Sequence, residues 1–271
     1  MSARQNGFTL IELVVALTIS VVVVGFIAAF IAVPVQSHLA QTRRAELDAE
    51  AEAVTHWMSQ DVRGALPNSL RTAVVGGRPA VEMIDFAAVE LYRPDVWTEG
   101  DPLVIDPLQP PDTTFDVLGV PSPGAIDVVV NNLGIAGQDA YALANVIVPV
   151  NIAASKVTLS NPAFRFAAHS AHGRAFLVTP ASAVIRYECD FVARTLRRYD
   201  NLPMTAAMGV LPAGTPSRLI ASDVTACTLT TRPGNLEHGG LLLIRVTISR
   251  VTNGATDSLR VMKQLKVEDA A

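Results

Sequence analysis

Gly7-Phe8-Thr9-Leu10-Ile11-Glu12-Leu13 opens an apolar run that continues to Val35, and one carboxylate, Glu12, interrupts its first turns. From Leu13 to Val35 no residue carries a charge, and Thr18 and Ser20 supply the only hydroxyls. At about 1.5 Å per residue these positions make a helix of roughly 35 Å, enough to cross about 30 Å of hydrocarbon. A cleaved secretory signal has a shorter apolar region, about 7–15 residues, closed by a small-x-small site. Ala28-Ala29-Phe30 is a poor one. A single membrane-spanning helix is the better reading. An ionisable group in such a segment costs about 2.5–3.5 kcal/mol on insertion scales and marks a functional site by default. The plainer alternative is that Glu12 sits at the interface, where the N-terminal dipole of the helix tolerates acid.

The composition agrees with an apolar anchor on a folded domain. Half of the 271 residues are apolar, 17% are charged, and the mean hydropathy is +0.34. That excludes disorder, which needs low hydrophobicity and high charge. With 21 Lys+Arg against 25 Asp+Glu the net charge is −4. The lysines are only Lys156, Lys263 and Lys266, and the arginines are scattered apart from Arg43-Arg44 and Arg197-Arg198, which argues against nucleic acid as a partner. Basic residues flank the span on both sides (Arg4; His38, Arg43, Arg44), so their count leaves the orientation ambiguous.

Beyond the span, Leu47, Ala51, Val54, Met58, Val62 and Ala65 step by four and three, one stripe of an amphipathic helix. Pro34 predicts a kink or local opening, and Gly64 and Pro67 end the pattern. After Pro67 short β-branched runs separated by Gly, Pro, Asn and Asp predict strands at 83–91, 126–130, 146–150, 174–179 and 183–189. The clearest hairpin is the last. Ile244, Val246 and Ile248 alternate with polar residues, Asn253-Gly254 turns the chain, and Leu259, Val261, Leu265 and Val267 return with Lys263 as the exception. Six prolines between Asp101 and Gly124 predict a long surface excursion.

The string Gly7-Phe8-Thr9-Leu10-Ile11-Glu12 at the head of a span resembles the type IV prepilin signal. The resemblance implies that a dedicated inner-membrane peptidase cuts after Gly7, that Phe8 becomes the N-methylated mature terminus, and that Glu12 is the acid that sets register between subunits. It also implies a cytoplasmic N-terminus and a periplasmic head. Further matches are Val33-Pro34-Val35-Gln36, Arg43-Arg44-Ala45-Glu46-Leu47, the run from Asp61 to Arg71, Tyr187-x-Cys189-Asp190, Leu196-x-Arg198-Tyr199 and Cys227. These resemble the minor pilin-like proteins of mannose-sensitive haemagglutinin (MSHA) pilus biogenesis, the O-type in particular. They cover both ends of the chain and leave roughly 72–170 poorly matched.

Cys189 and Cys227 lie on the side that the resemblance exports. In an oxidising compartment an isolated pair predicts a disulfide, whose ~38-residue loop would stabilise by roughly 3.5–4 kcal/mol. Two buried free thiols and a metal site are the alternatives. Other chemistry is weaker. His169 and His172 stand three apart in a loop, and Asp101, Asp106, Asp112 and Asp116 could offer oxygens to Ca²⁺ without EF-hand spacing. Ser122 lacks the nucleophile-elbow glycines, and the P-loop pattern is absent.

The sequence therefore predicts an α+β fold: a pilin-like lollipop whose long N-terminal helix, half transmembrane and half amphipathic, packs on an antiparallel β-sheet head. The expected divisions are a leader at 1–7, the transmembrane helix at 8–35, a helical spine at 36–66 and the head at 67–271. The expected role is a minor pilin or pseudopilin, not an enzyme, with no cofactor or metal. It would act in assembly, initiation or tip-capping of an MSHA-like pilus. Its partners would be the prepilin peptidase/methyltransferase, other pilin or pseudopilin subunits and the inner-membrane assembly platform. The rivals are a J-class minor pseudopilin of type II secretion and a membrane-anchored periplasmic enzyme or binding module.

Overall fold

A computed structural model describes residues 9–94, 100–119, 124–144, 146–232, 240–252 and 255–267; side chains at 31–37, 39, 124–125, 252 and 255 lie outside that description. Gly7, Phe8, Ser122 and the Asn253-Gly254 turn fall outside it as well. By contact the chain divides into two compact units, 1–48 and 49–271.

One α-helix, α1 (Leu10–Arg63), accounts for both helical predictions. It continues through Pro34, where the sequence predicts a kink or opening. Proline removes a single N–H donor, and the helical turns on both sides carry the chain past that loss. The helix stops where glycine enters: the Gly64 N–H donates to the Gln60 carbonyl at 3.1 Å, and the chain then turns towards Pro67.

Within the second unit, Val54, Met58 and Val62 are fully buried along one face of α1, as their four-residue spacing requires. Strands follow in chain order: β1 (Arg71–Val75), β2 (Arg78–Ile84), β3 (Ala88–Leu91), β4 (Thr114–Asp116), β5 (Gly124–Val130), β6 (Ile147–Ala153) and β7 (Lys156–Leu159). Then come β8 (Arg174–Val178), β9 (Val184–Asp190), β10 (Thr195–Leu202), β11 (Arg218–Ala221), β12 (Val224–Arg232), β13 (Leu241–Thr252) and β14 (Ala255–Lys266). They form three sheets, ordered β1-β2-β9-β10-β11, β3-β8-β5-β6-β7-β4 and β12-β13-β14, and every strand pairing in them is antiparallel. The α+β expectation holds, with three sheets where one was expected.

The predicted 83–91 run divides into β2 and β3 at Asp85-Phe86-Ala87, where Asp85 bonds back to Ala183 and Ala87 to Leu177. The 101–124 segment is also more than a surface excursion. Leu103, Phe115 and Val117 are buried in the core of the six-stranded sheet with Val128, Val148 and Leu177. Prolines bar regular pairing there but do not stop single apolar side chains from entering a core.

Strand β9 is buried on both faces, so it carries two kinds of side chain. Ile185, Tyr187 and Cys189 share one face with Val81 and Met83 of β2, and Cys189 is disulfide-bonded to Cys227 of β12, tying two sheets together. The other face carries charge. Glu82 takes Arg71 at 2.6 Å on one side and Arg186 on the other, while Arg78 reaches Glu188 at 3.1 Å and Asp190 at 2.7 Å. Both arginines of the first row also hold the loop after β10: Arg71 donates to the carbonyls of Thr205 and Ala206, and Arg186 to that of Gly209. A cleft of about 340 Å³ lies there, lined by Glu82, Arg186, Leu202, Val210 and Leu211 among others. Its polar floor is paired within the fold.

Candidate functional site

The site singled out by the sequence is the start of α1. Thr9 immediately precedes the first helical residue, where four N–H groups lack partners inside the helix. Its hydroxyl accepts from the Glu12 N–H at 3.3 Å and donates to Glu12 Oε2 at 3.0 Å, while the Thr9 N–H donates to the same oxygen at 3.2 Å. This is a capping box, in which two orphan donors are satisfied reciprocally. The Leu13 N–H then closes the first turn on the Thr9 carbonyl at 3.2 Å. The carboxylate lies at the positive end of the helix dipole. Glu12 is thus held by polar groups of its own turn, and no cation pairs with it among the described residues.

Sequence reasoning singles out Glu12 and passes over Thr9, although the Thr-x-x-Glu spacing is a legible capping signal. Behind the box, Leu10–Phe30 is long and apolar enough to cross a membrane. Its large side chains are exposed, Leu10 at 82% and Phe30 at 79%. An uninterrupted apolar surface of this kind in water would aggregate; in lipid it is matched by its solvent.

The segment that carries these features, residues 2–28, matches the family described as the prokaryotic N-terminal methylation motif. The chain has a prepilin-type N-terminus. The match supports a type IV pilin-like protein, which implies processing by a prepilin peptidase, assembly with other pilins and anchoring through the N-terminal helix. No curated protein and no solved structure matches.

The pilin-like resemblance also links residues far apart in the head, and three of them meet. Asp61 of α1 accepts from the Tyr187 hydroxyl at 2.5 Å and from Arg198 Nε at 2.7 Å. Burial, and then the adjacent Asp61 charge, push the Tyr187 phenol far above its ordinary range, so it stays a donor. Trp57, one helical turn earlier, lies under the guanidinium of Arg218 at 4.4 Å. A second tie joins Glu50 to the Ser222 hydroxyl at 3.0 Å and to Arg250 at 2.8 Å. These contacts fix the helical segment from residue 49 onward to the head.

The remaining sequence candidates are not brought together as sites. The disulfide between Cys189 and Cys227 excludes the free-thiol and metal alternatives for that pair. His169 lies against Tyr92, its Nδ1 3.4 Å from the phenol, while His172 points to solvent in the adjoining turn. Asp101 takes Lys156 at 2.5 Å, and Asp116 takes it at 3.5 Å. Asp112 accepts from the backbone of Val104 at 2.9 Å and of Thr114 at 3.3 Å. Asp106 caps Leu108 at 2.8 Å. Among the described residues no group of three His, Cys, Asp or Glu side chains is arranged to hold a metal.

Proposed function

We propose that this chain is a minor pilin or pseudopilin of an MSHA-like type IV pilus, acting in assembly, initiation or tip-capping. The observation that carries the reading is the methylation-motif match over residues 2–28. The Thr9–Glu12 box at the start of the apolar helix supports it. In this reading the chain enters the inner membrane with its head in the periplasm and is cut between Gly7 and Phe8. The amine of Phe8 is then methylated by the same peptidase.

Before assembly, Thr9 holds the Glu12 carboxylate within its own turn. In the filament, the terminal amine of a neighbouring subunit supplies a cation for Glu12, and losing one partner of such a sequestered pair costs about 3–5 kcal/mol. The pairing sets vertical register between subunits. The head takes no catalytic step in this role.

The deciding measurement is the mass of the N-terminal peptide of the filament-associated protein. It should begin at N-methyl-Phe8, and Gly7→Val should leave the full leader in place. A wild-type filament form that retains Met1 would overturn the reading. MSHA assignment is tested by which subunits co-purify with the processed chain: pilus subunits support it, secretion pseudopilins refute it.

A further inference from the structure

A sheet edge offers unpaired N–H and C=O groups to any extended chain, and folded proteins blunt it by shortness, bulges, proline or charge. Five of the six strands that end the three sheets are blunted by shortness or by a bulge. β4 has three residues, β3 and β11 have four, and β1 has five. β12 has nine, but its register on β13 shifts between Val224 and Ala226. Strand β14 is the exception. It has twelve residues, runs against β13 without a shift, contains no proline, and pairs with no other strand among the described residues.

The register fixes which groups are left over. The Val267 N–H donates to the Gly240 carbonyl at 2.9 Å, one pair beyond the end of the β13-β14 ladder. Bonded and non-bonded pairs alternate in an antiparallel ladder, so Val261, Lys263 and Leu265 bond to β13. Ser258, Arg260, Met262 and Gln264 aim their N–H and C=O groups at the open edge. The side chains of the same four residues lie on the outward face and are exposed, Met262 at 58%.

Charge selects what this edge accepts. The outward face also bears Arg232, Arg245 and Lys266, and among the described residues it has no carboxylate. On the inward parity Val261 and Leu265 are buried, whereas Lys263, opposite Ile244, is exposed between them. A lysine in that row turns away an all-apolar strand. A second β14 laid on this edge would bring arginine and lysine against their own kind, which is destabilising. A strand that carries acids in these rows meets the reverse.

We propose that the open edge of β14 receives an acidic extended segment of a different protein, whose carboxylates face Arg260 and Lys263, as an added strand of the β12-β13-β14 sheet. Main-chain bonds to Arg260, Met262 and Gln264 supply affinity, and the basic rows supply the choice of partner. Arg232 and Arg245 add to the field that steers it in. One edge takes one strand, so the contact is one-to-one. The proposal goes beyond the pilin reading and does not depend on it.

The test uses the full chain in a neutral detergent and a fluorescein-labelled, end-capped peptide, Glu-Val-Thr-Glu-Val-Val-Glu. Laid antiparallel on β14, it sets its three acids opposite Lys266, Lys263 and Arg260 and two valines beside Leu265 and Val261. Saturable binding with a Kd below about 1 mM is expected by anisotropy. Lysine in place of each glutamate, or N-methyl groups on every second peptide amide, should weaken it at least about tenfold. Residue-resolved amide exchange should show new protection at Arg260, Met262 and Gln264 and none at Val261 and Lys263, whose amides already bond to β13. Met262→Pro removes an outward N–H alone, so Tm should stay within about 3 °C while binding falls about tenfold. Arg260→Glu with Lys263→Glu keeps the test decisive if that variant folds poorly: it should lose the acidic peptide and bind the lysine one. Absence of saturable binding, equal binding of the lysine or N-methylated peptide, protection outside the outward row, or an acidic peptide still held by the charge-reversed chain would overturn the proposal. These readouts are independent of cleavage after Gly7, so their failure leaves the pilin reading standing.

Discussion

Glu82 and Glu12 both occupy places where a carboxylate is expensive, but among the described residues cations meet Glu82 and not Glu12. Glu82 is 2% exposed, flanked by Arg71 and Arg186 on neighbouring strands of one sheet. Glu12 stands at the head of an uncharged span and, among the described residues, its carboxylate is held by Thr9, one turn away. A buried ion pair is a weak contributor while intact, yet removing one partner is strongly destabilising because the other charge stays buried. The two sites therefore answer to different tests. Glu82 should be needed for the head to fold, and Glu12 should be dispensable until the chain meets a neighbour.

The widest separation between them should come from Glu12→Leu. Membrane insertion and cleavage after Gly7 should persist, while incorporation next to other subunits should fall at least about tenfold, read by co-purification of the processed variant. Wild-type incorporation would break the comparison. Glu82→Ala should do the opposite, destabilising the head by about 3–5 kcal/mol in denaturant unfolding without altering cleavage. Replacing both cysteines should cost roughly 3.5 kcal/mol, because the bridge fixes β9, which bears Arg186, to β12. Comparing oxidised and reduced protein measures the same quantity.

The smallest effect belongs to Asp127, a half-buried head carboxylate with no cation partner among the described residues. Burial raises its pKa, so the folded state holds the proton more tightly than the unfolded chain. The charge therefore opposes folding at neutral pH, and that penalty fades as the pH falls through the folded pKa. Asp127→Asn should raise Tm at pH 7 by no more than about 2 °C, and by less near pH 4, in scanning calorimetry.

The elements legible in the sequence are those whose pattern has a period. The span, the Val54-Met58-Val62 stripe and the terminal hairpin each repeat at 3.6 or 2 residues, and each occupies its expected place. Strand β10, Thr-Leu-Arg-Arg-Tyr-Asp-Asn-Leu, escapes such reading because its polar residues are used within the fold: Arg198 binds Asp61 and Asp200. The core residues Leu103 and Phe115 escape it for a different reason. They enter singly from proline-broken chain, and no spacing announces them. At the site, the acid and the span are legible, and the Thr9 cap lies in the same seven residues as a Thr-x-x-Glu spacing.

Ile84 ends β2 and Val184 begins β9, and the two are partners in register although a hundred residues separate them. For the five-stranded sheet, everything from Asp85 to Ala183 is one detour that leaves and returns at adjacent points, and the Asp85 N–H bonds to the Ala183 carbonyl at 2.7 Å across its neck. The six-stranded sheet is thus a cassette. Its two ends are held together by the register of β2 on β9, while Val129, Phe176 and Val178 of the insert share one buried cluster with Ile84, Val184 and Leu202 of the frame, so the detour is closed at its neck and also packed along its flank.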